Sequence, residues 1–379
     1  MTSCKVSKQC GGCKYIGRPY EYQLGMKQKY IDELFKGVCE VKCIIPCENP
    51  YYYRNKVHAA FKRGRGRKIF YGTYEAGSHR IVEHDKCYIE NKKAQQIITT
   101  IAQLASKHKM SIYNEDIGKG LLRRVLVRVS ETTGQIMVVL VIGSKYFTGK
   151  RNFIDELLSI HPEITTILSN YNDRHDSMIL SGSSRVDYGK GYIEEVILGR
   201  TFRVSAESFL QINTPQAEAL YSLVFETANV MPNDHILDCY CGTGTISVFL
   251  STYCKEVIGV ELNSKAVEDA YKNKKKNKTE NVKFICRDAT EYIEEQAFAG
   301  KHYETVVIDP PRAGTTVRFI EACGKIAPDR IVYVSCNPDT LRRDIKLFAR
   351  QGFKAKAVTP VDMFPWTENV ECVCLLERL

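Results

Sequence analysis

The sequence predicts an α/β protein in two parts. Residues 201–379 read as a doubly wound, mostly parallel sheet, and residues 1–200 as a preceding α+β region that is largely antiparallel. Three observations predict this. After Asn213, short continuous apolar runs such as "HILDC", "EVIGVE" and "RIVYVS" alternate with helical stretches, as strands covered on both faces do. Before it, β-type residues alternate with charge and glycines mark the turns, the pattern of hairpins with one covered face. The charge also divides: residues 1–200 carry 32 Lys+Arg against 20 Asp+Glu, and residues 201–379 carry 22 against 24. A front half at +12 and a back half at −2 suit a front half that meets a polyanion.

In chain order, a cysteine cluster precedes a polar helix, "YEYQLGMKQKYIDELFKG". Residues 48–90 predict an antiparallel hairpin sheet, and Lys92–Lys107 a helix. Hairpin-like pairs are expected around "LLRRVLVRVSETTGQIMVVLVIG" and "ITTILSNYNDR…SMILSG", with a further pair in "YIEEVILGRTFRVSAESFLQIN". The alternating strands and helices follow, and "FKAKAVTPVDMFPWTENVECVCLLERL" closes the sheet as an antiparallel hairpin at its edge.

Composition excludes several classes. With 44% apolar and 26% charged residues, the chain can bury ordinary cores. No run of 18 apolar residues appears, and "MTSCKVSKQCGGCK" lacks the apolar centre of a signal peptide, so a soluble, cytoplasmic protein, taken as a monomer, is expected. In that compartment 15 cysteines point to metal binding or chemistry rather than to disulfides.

Four strand ends carry residues suited to one ligand. "ILDCYCGTGTIS" places Asp238, Gly242 and Gly244 at a strand-to-helix turn, where glycines let a ligand approach the backbone. Glu261 ends the next strand, about 20 residues on, where an acid can accept bonds from ribose hydroxyls. Asp288 suits a place beside an adenine ring, and Asp309 ends the fourth strand before two stiffening prolines. The full G-x-G-x-x-G fingerprint is absent, and the shorter D-x-x-x-G-x-G fits S-adenosylmethionine better than a nicotinamide cofactor.

The fifth strand runs into Ser335-Cys336-Asn337-Pro338 and so presents a thiol at its tip. Taken together, "DCYCGTGT", "VIGVE", "DPPRAG", "VSCNP" and "FPWTENVECVCLLE" resemble the RNA uracil-5-methyltransferases, specifically the iron–sulfur-containing 23S ribosomal RNA branch, nearly end to end. The resemblance implies a Rossmann-like S-adenosylmethionine-dependent methyltransferase domain at 201–379 and an RNA-binding domain with a cluster at 1–200. It implies Cys336 as nucleophile, Glu371 as base, and Gln211, Tyr240, Glu261 and Asp309 at the S-adenosylmethionine positions. Arg312 is expected to orient the uracil or stabilise its enolate. The chemistry gives each residue a reason. Uracil carbon 5 attacks a sulfonium methyl poorly until a thiolate adds to carbon 6, and a base must then remove the carbon-5 proton. The sequence departs from the family in one place, reading Trp366-Thr367-Glu368-Asn369 where a His-Thr…His pattern is expected, which leaves a histidine-assisted proton relay without its histidines.

Cys4, Cys10 and Cys13 in C-x5-C-x2-C spacing, with the distant Cys87, suit either zinc or a 4Fe–4S cluster by spacing. The resemblance implies the cluster. Cys39, Cys43 and Cys47 read as core or surface residues. Between Tyr51 and Arg80 lie eight Lys/Arg against one acid, interleaved with aromatics, and Arg54, Lys56, Arg63, Arg65 and Arg67 are candidate RNA contacts. The lysine run "KNKKKNK" reads as a solvated helix end. The cysteine cluster begins almost at residue 1, so the oligonucleotide-binding barrel found at the front of many relatives is expected to be missing.

The expected partner is therefore 23S ribosomal RNA, with no membrane. The same reaction on a transfer RNA T-loop uridine and a non-catalytic RNA-binding protein are the rivals. Retention of both Cys336 and Glu371 speaks against the second rival. An exocyclic amine methyltransferase is excluded because Arg312 stands where an aromatic would follow "DPP", and because the thiol is present.

Overall fold

The computed structural model describes residues 4–379 other than 76, 85, 175, 177 and 183. Its strands are β1 (Glu40–Val41), β2 (Lys56–Arg63), β3 (Ile69–Tyr74), β4 (Ile81–Glu83), β5 (Leu122–Val129), β6 (Ile136–Ile142), β7 (Ile164–Tyr171), β8 (Ser184–Tyr188), β9 (Ile193–Ile197) and β10 (Arg200–Val204). They continue with β11 (His235–Cys239), β12 (Glu256–Glu261), β13 (Val282–Cys286), β14 (Thr305–Ile308), β15 (Arg330–Ser335), β16 (Phe353–Val361) and β17 (Glu371–Arg378). The chain forms two compact units.

One unit takes residues up to Gly17, Asn49–Val196 and Arg203–Glu207. Its sheet has the order β4-β3-β2-β5-β6-β7-β8. Asn91 caps the helix Lys92–Lys107, accepting from the N–H groups of Lys93 and Ala94 at 2.9 and 3.3 Å. The helix buries Ile97, Ile98, Ile101 and Leu104 in one core with Val57, Phe61, Val125 and Val127. β5 and β6 form the expected hairpin. The second expected hairpin is corrected: β7 pairs in parallel with β6 and antiparallel with β8, rather than with "SMILSG". The helix Lys150–Ile160 supplies the crossover that a parallel pair requires, and β6 is buried at every residue.

The other unit takes Arg18–Glu48, Ile197–Phe202 and Ser208–Leu379. Its sheet has the order β1-β16-β17-β15-β14-β11-β12-β13 and is parallel except for β17. This is the Rossmann-like order of methyltransferases, with β17 inserted antiparallel between β15 and β16. It differs from a single division at residue 200 in the placing of residues 18–48 and in the return of Arg203–Glu207 to the first unit. Residues 18–48 belong here, because β1 pairs with β16 and because Ile31 and Phe35 of the helix Tyr20–Phe35 are fully buried in the core with Phe348, Phe353 and Val358. The closing hairpin therefore does not form the edge, since β1 lies outside it. No helix among the described residues is long and apolar enough to cross a membrane.

Candidate active site

The site is built at the C-terminal ends of β11, β12, β14 and β15 and at the start of β17. After β11 the chain turns through Tyr240 at φ 65° and Gly242 at φ 54° before Gly244 at φ 78°. A Cβ on Gly244 would come within 2.4 Å of the Phe284 ring, whereas one on Gly242 would meet open space, so the turn needs glycine at Gly244 for packing and leaves room beside Gly242. Glu261 accepts from the Gly242 N–H at 3.1 Å and from the Asn263 N–H at 2.7 Å, which fixes its carboxylate beside the turn.

Asp238 is fully buried, takes a 2.5 Å hydrogen bond from the Ser247 hydroxyl at Oδ2, and leaves Oδ1 without a protein partner. Burial, with Asp309 and Glu261 nearby, pushes it up to about 7. The Tyr240 hydroxyl lies 3.0 Å from that of Thr315, which reaches it from the loop after β14. Gln211 is buried in this same unit. Asp288 spends one oxygen as a helix cap, accepting from Thr290 and Glu291 N–H at 2.8 and 3.1 Å.

The reactive end is set by strand register. β15 and β17 pair antiparallel with Ser335 opposite Cys372, and continuing that ladder by one residue sets Cys336 beside Glu371. Asn337 then caps the helix Pro338–Ala349, accepting from the Asp339 N–H at 3.2 Å, with Pro338 at its first position. The Arg312 carbonyl accepts from the Asn337 amide at 3.1 Å and from the Thr340 hydroxyl at 3.3 Å, pinning the "PPRAG" loop against the residue after the thiol. Asp344, fully buried, holds the rest of that loop by accepting from the Thr315 N–H at 3.0 Å and the Tyr333 hydroxyl at 2.7 Å. Arg312 consequently lies against Cys336, and its guanidinium also reaches Asn369 at 3.5 Å.

The electrostatics follow from this crowding. Burial, then the carboxylates of Glu371 and Asp309, push the Cys336 thiol up, and the Arg312 guanidinium opposes them. Glu371 is only 3% exposed; burial and Asp309 push it up to about 8, again opposed by Arg312. Burial alone takes Asp309 to about 7. Cys336 and Glu371 thus share one positive side chain, that of Arg312.

Cys4, Cys10, Cys13 and Cys87 line one cavity of about 180 Å³, with Arg54, Lys56, His58, His84 and Glu90. Burial pushes Cys13 and Cys87 each up to about 12. No three His, Cys, Asp or Glu among the described residues converge as they would on a single ion. Cys39 is half-buried, Cys43 exposed and Cys47 buried, and all three belong to the other unit.

The basic candidates are not gathered into one patch. Arg54 lines the cysteine cavity, Lys56 lies opposite Arg128 across β2 and β5, and Arg63 donates to the Met110 carbonyl at 2.8 Å. Arg128, together with burial, lowers Lys56 to about 7. Arg65 is exposed in the turn after β2, and the side chain of Arg67 lies outside the described residues. The sequence reading missed Asn337, Thr315, Asp344 and Asn369. Only Asn337 had a local signal, an Asn-Pro at a helix start.

With this geometry in place, comparison with known proteins is informative. An RNA methyltransferase of Oceanobacillus iheyensis, named as uncharacterised, is 38% identical over 99% of this chain and 82% of its own length. A similarly named protein of Clostridium tetani is 39% identical over 98% of this chain and 82% of its own. The crystal structure of Pyrococcus abyssi tRNA (uracil-54, C5)-methyltransferase in complex with S-adenosyl-L-homocysteine superposes with a TM-score of 0.81 at 27% identity, over 97% of this chain and 86% of that one. Residues 19–379 match the tRNA (uracil-5-)-methyltransferase family, and the chain belongs to it.

Proposed function

We propose that this protein transfers a methyl group from S-adenosylmethionine to carbon 5 of a uridine in 23S ribosomal RNA through a covalent Cys336 adduct. The observation that carries the reading is the β15–β17 register, which sets the thiol of Cys336 beside the buried carboxyl of Glu371 with Arg312 against both. Support for the cofactor comes from the turn at Gly242, the fixed Glu261 and the unpartnered oxygen of Asp238, and from the bound S-adenosyl-L-homocysteine of the Pyrococcus abyssi enzyme. Gln211, Tyr240, Glu261 and Asp309 are its proposed contacts.

The Cys336 thiolate adds to carbon 6, and the C5=C6 electrons move towards the carbon-4 carbonyl, where Arg312 is placed to meet the enolate. Carbon 5 then attacks the sulfonium methyl, and S-adenosylhomocysteine leaves. Glu371 takes the proton from carbon 5, the C5–H electrons re-form C5=C6, and the C6–S bond breaks to return the thiolate. A uridine must leave its stack for carbon 6 to be reached from the ring face.

Cys4, Cys10, Cys13 and Cys87 would hold a 4Fe–4S cluster whose role is to fix the fold around the RNA-binding sheet, since methyl transfer moves no electron. Arg54, Lys56, Arg63, Arg65 and Arg67 are the proposed RNA contacts of that unit. The second reading, the same chemistry on a transfer RNA, is favoured by the 0.81 TM-score to the archaeal tRNA enzyme. Methyl-labelled S-adenosylmethionine offered with unmodified ribosomal and transfer RNA separates the two. Label in 5-methyluridine of 23S RNA alone supports the first target, label in transfer RNA alone replaces it with the second, and label in neither overturns the enzyme.

A further inference from the structure

The loop between β16 and β17 is gripped from both sides by buried polar side chains. Tyr20, Gln23 and Lys27 share one face of the helix Tyr20–Phe35, and all three donate to the carboxylate of Asp362. Tyr20 Oη and Gln23 Nε2 reach Oδ2 at 2.6 and 2.9 Å, and Lys27 Nζ reaches Oδ1 at 2.5 Å. The Lys27 and Asp362 side chains are 1% and 0% exposed. The same helix holds the loop backbone: Lys27 donates to the Phe364 carbonyl at 3.1 Å, and Gln23 Oε1 accepts from the Trp366 N–H at 2.6 Å. Trp366 sits at φ 69°, a strained conformation for a bulky residue, with its ring edge-on to Tyr20 at 5.7 Å. From the other side, Asn213 donates to the Met363 carbonyl at 3.2 Å and Gln216 to the Asp362 carbonyl at 3.1 Å.

A buried ion pair is a poor source of stability, because desolvation consumes most of the attraction and apolar replacements are often as stable. A pair that is triply hydrogen-bonded, and whose members and partners also fix the Phe364 carbonyl and the Trp366 N–H of one loop, serves geometry instead. Two ends of that geometry are functional. Downstream, the loop delivers Asn369 to Arg312 and opens β17 at Glu371. Upstream, Asn213 lies two residues past Gln211.

We propose that the Lys27–Asp362 pair is the positioning element for Glu371, holding the loop so that the carboxylate meets the carbon-5 proton after methyl transfer. This rests on the reading of Glu371 as the base. The step it governs is the last one: a Glu371 oxygen gains the proton, the C5–H electrons re-form C5=C6, and the C6–S bond breaks with the pair returning to Cys336. Thiolate addition and methyl transfer precede that step and depend on β15 and the "PPRAG" loop, which are braced separately through Asn337 and Asp344.

The test uses the full chain with Lys27→Met combined with Asp362→Asn, so that no lone charge stays buried, and Gln23→Leu as a second variant that keeps the pair but frees Trp366. Rapid quench with methyl-labelled S-adenosylmethionine separates label in denaturation-resistant protein–RNA adduct from label in released RNA. Both variants are expected to accumulate methylated adduct, with elimination slowed by about 10- to 100-fold, part of the ~10²–10⁴ a positioned base supplies. Trapping on RNA containing 5-fluorouridine, where no proton can be removed from carbon 5, is expected to match the unaltered protein. An unchanged elimination rate in variants that melt cooperatively would overturn the proposal. So would an equal loss of trapping and elimination, which marks a role in folding alone. Failure of the unaltered protein to methylate or trap any RNA would instead strike the function proposed above.

Discussion

Replacing Glu371 by glutamine separates what the carboxyl costs from what it does. The side chain is 3% exposed and its carboxyl is pushed up to about 8 by burial and by Asp309. In the unfolded chain it loses its proton near 4.5. Between those values the folded state holds more protons than the unfolded one, so stability falls as pH rises from about 4.5 to about 8 and stays low above it. At about 1.4 kcal/mol per pH unit, the full shift corresponds to on the order of 5 kcal/mol, and relaxation around the charge reduces it, so about 2 kcal/mol is expected to be measured. Glutamine keeps the shape and does not titrate. Thermal melts of both proteins without RNA should coincide near pH 4.5 and separate by about 4–8 °C in favour of Glu371→Gln near pH 8.5. Asp238 and Asp309, each pushed up to about 7, titrate in both proteins and leave a shared slope. The same variant should form methylated adduct and fail to release it. Equal melts at both pH values would refute the burial argument, and normal turnover would refute the role as base.

Three further outcomes follow from the geometry. Cys336→Ala should abolish both methylation and adduct while changing stability by less than about 1 kcal/mol, since the thiol is half-buried at a strand end; thermal melts and labelled S-adenosylmethionine check both. Gly244→Ala places a Cβ 2.4 Å from the Phe284 ring at φ 78°, and should cost about 2 kcal/mol or more and weaken S-adenosylmethionine binding by calorimetry. The proposed cluster predicts iron and a broad visible absorbance in anaerobically purified protein, both lost in Cys13→Ser or Cys87→Ser; their absence from the unaltered protein would refute it. Retention of stoichiometric iron in both would exclude these cysteines as ligands.

Much of the methyltransferase unit was legible because its signals are local. Apolar runs gave the five parallel strands, and glycines with following acids marked their ends. The Lys92–Lys107 helix matched its sequence bounds because an Asn cap and a strong apolar stripe define it. Long-range pairings were not legible. Nothing in "ITTILSNY" reveals that it pairs in parallel with β6, since the alternation that marks a strand does not name its neighbour. Residues 18–48 look like part of the front half until β1 pairs with β16, more than 300 residues away. In the site, Cys336 and Glu371 were reached by resemblance, and the reason they meet is a register visible only once β17 is inserted. No local signal singles out Lys27 or Asp362 in the sequence, and only burial shows them as a pair.

The most direct test of the central claim is peptide mapping of the protein trapped, in the presence of S-adenosylmethionine, on RNA in which the target uridines are 5-fluorouridine. The nucleotide should be carried by the peptide containing Cys336, through a bond from sulfur to carbon 6, with the methyl group already on carbon 5. An adduct on another cysteine, or methylation with no covalent species, would contradict the assignment of Cys336 as the nucleophile.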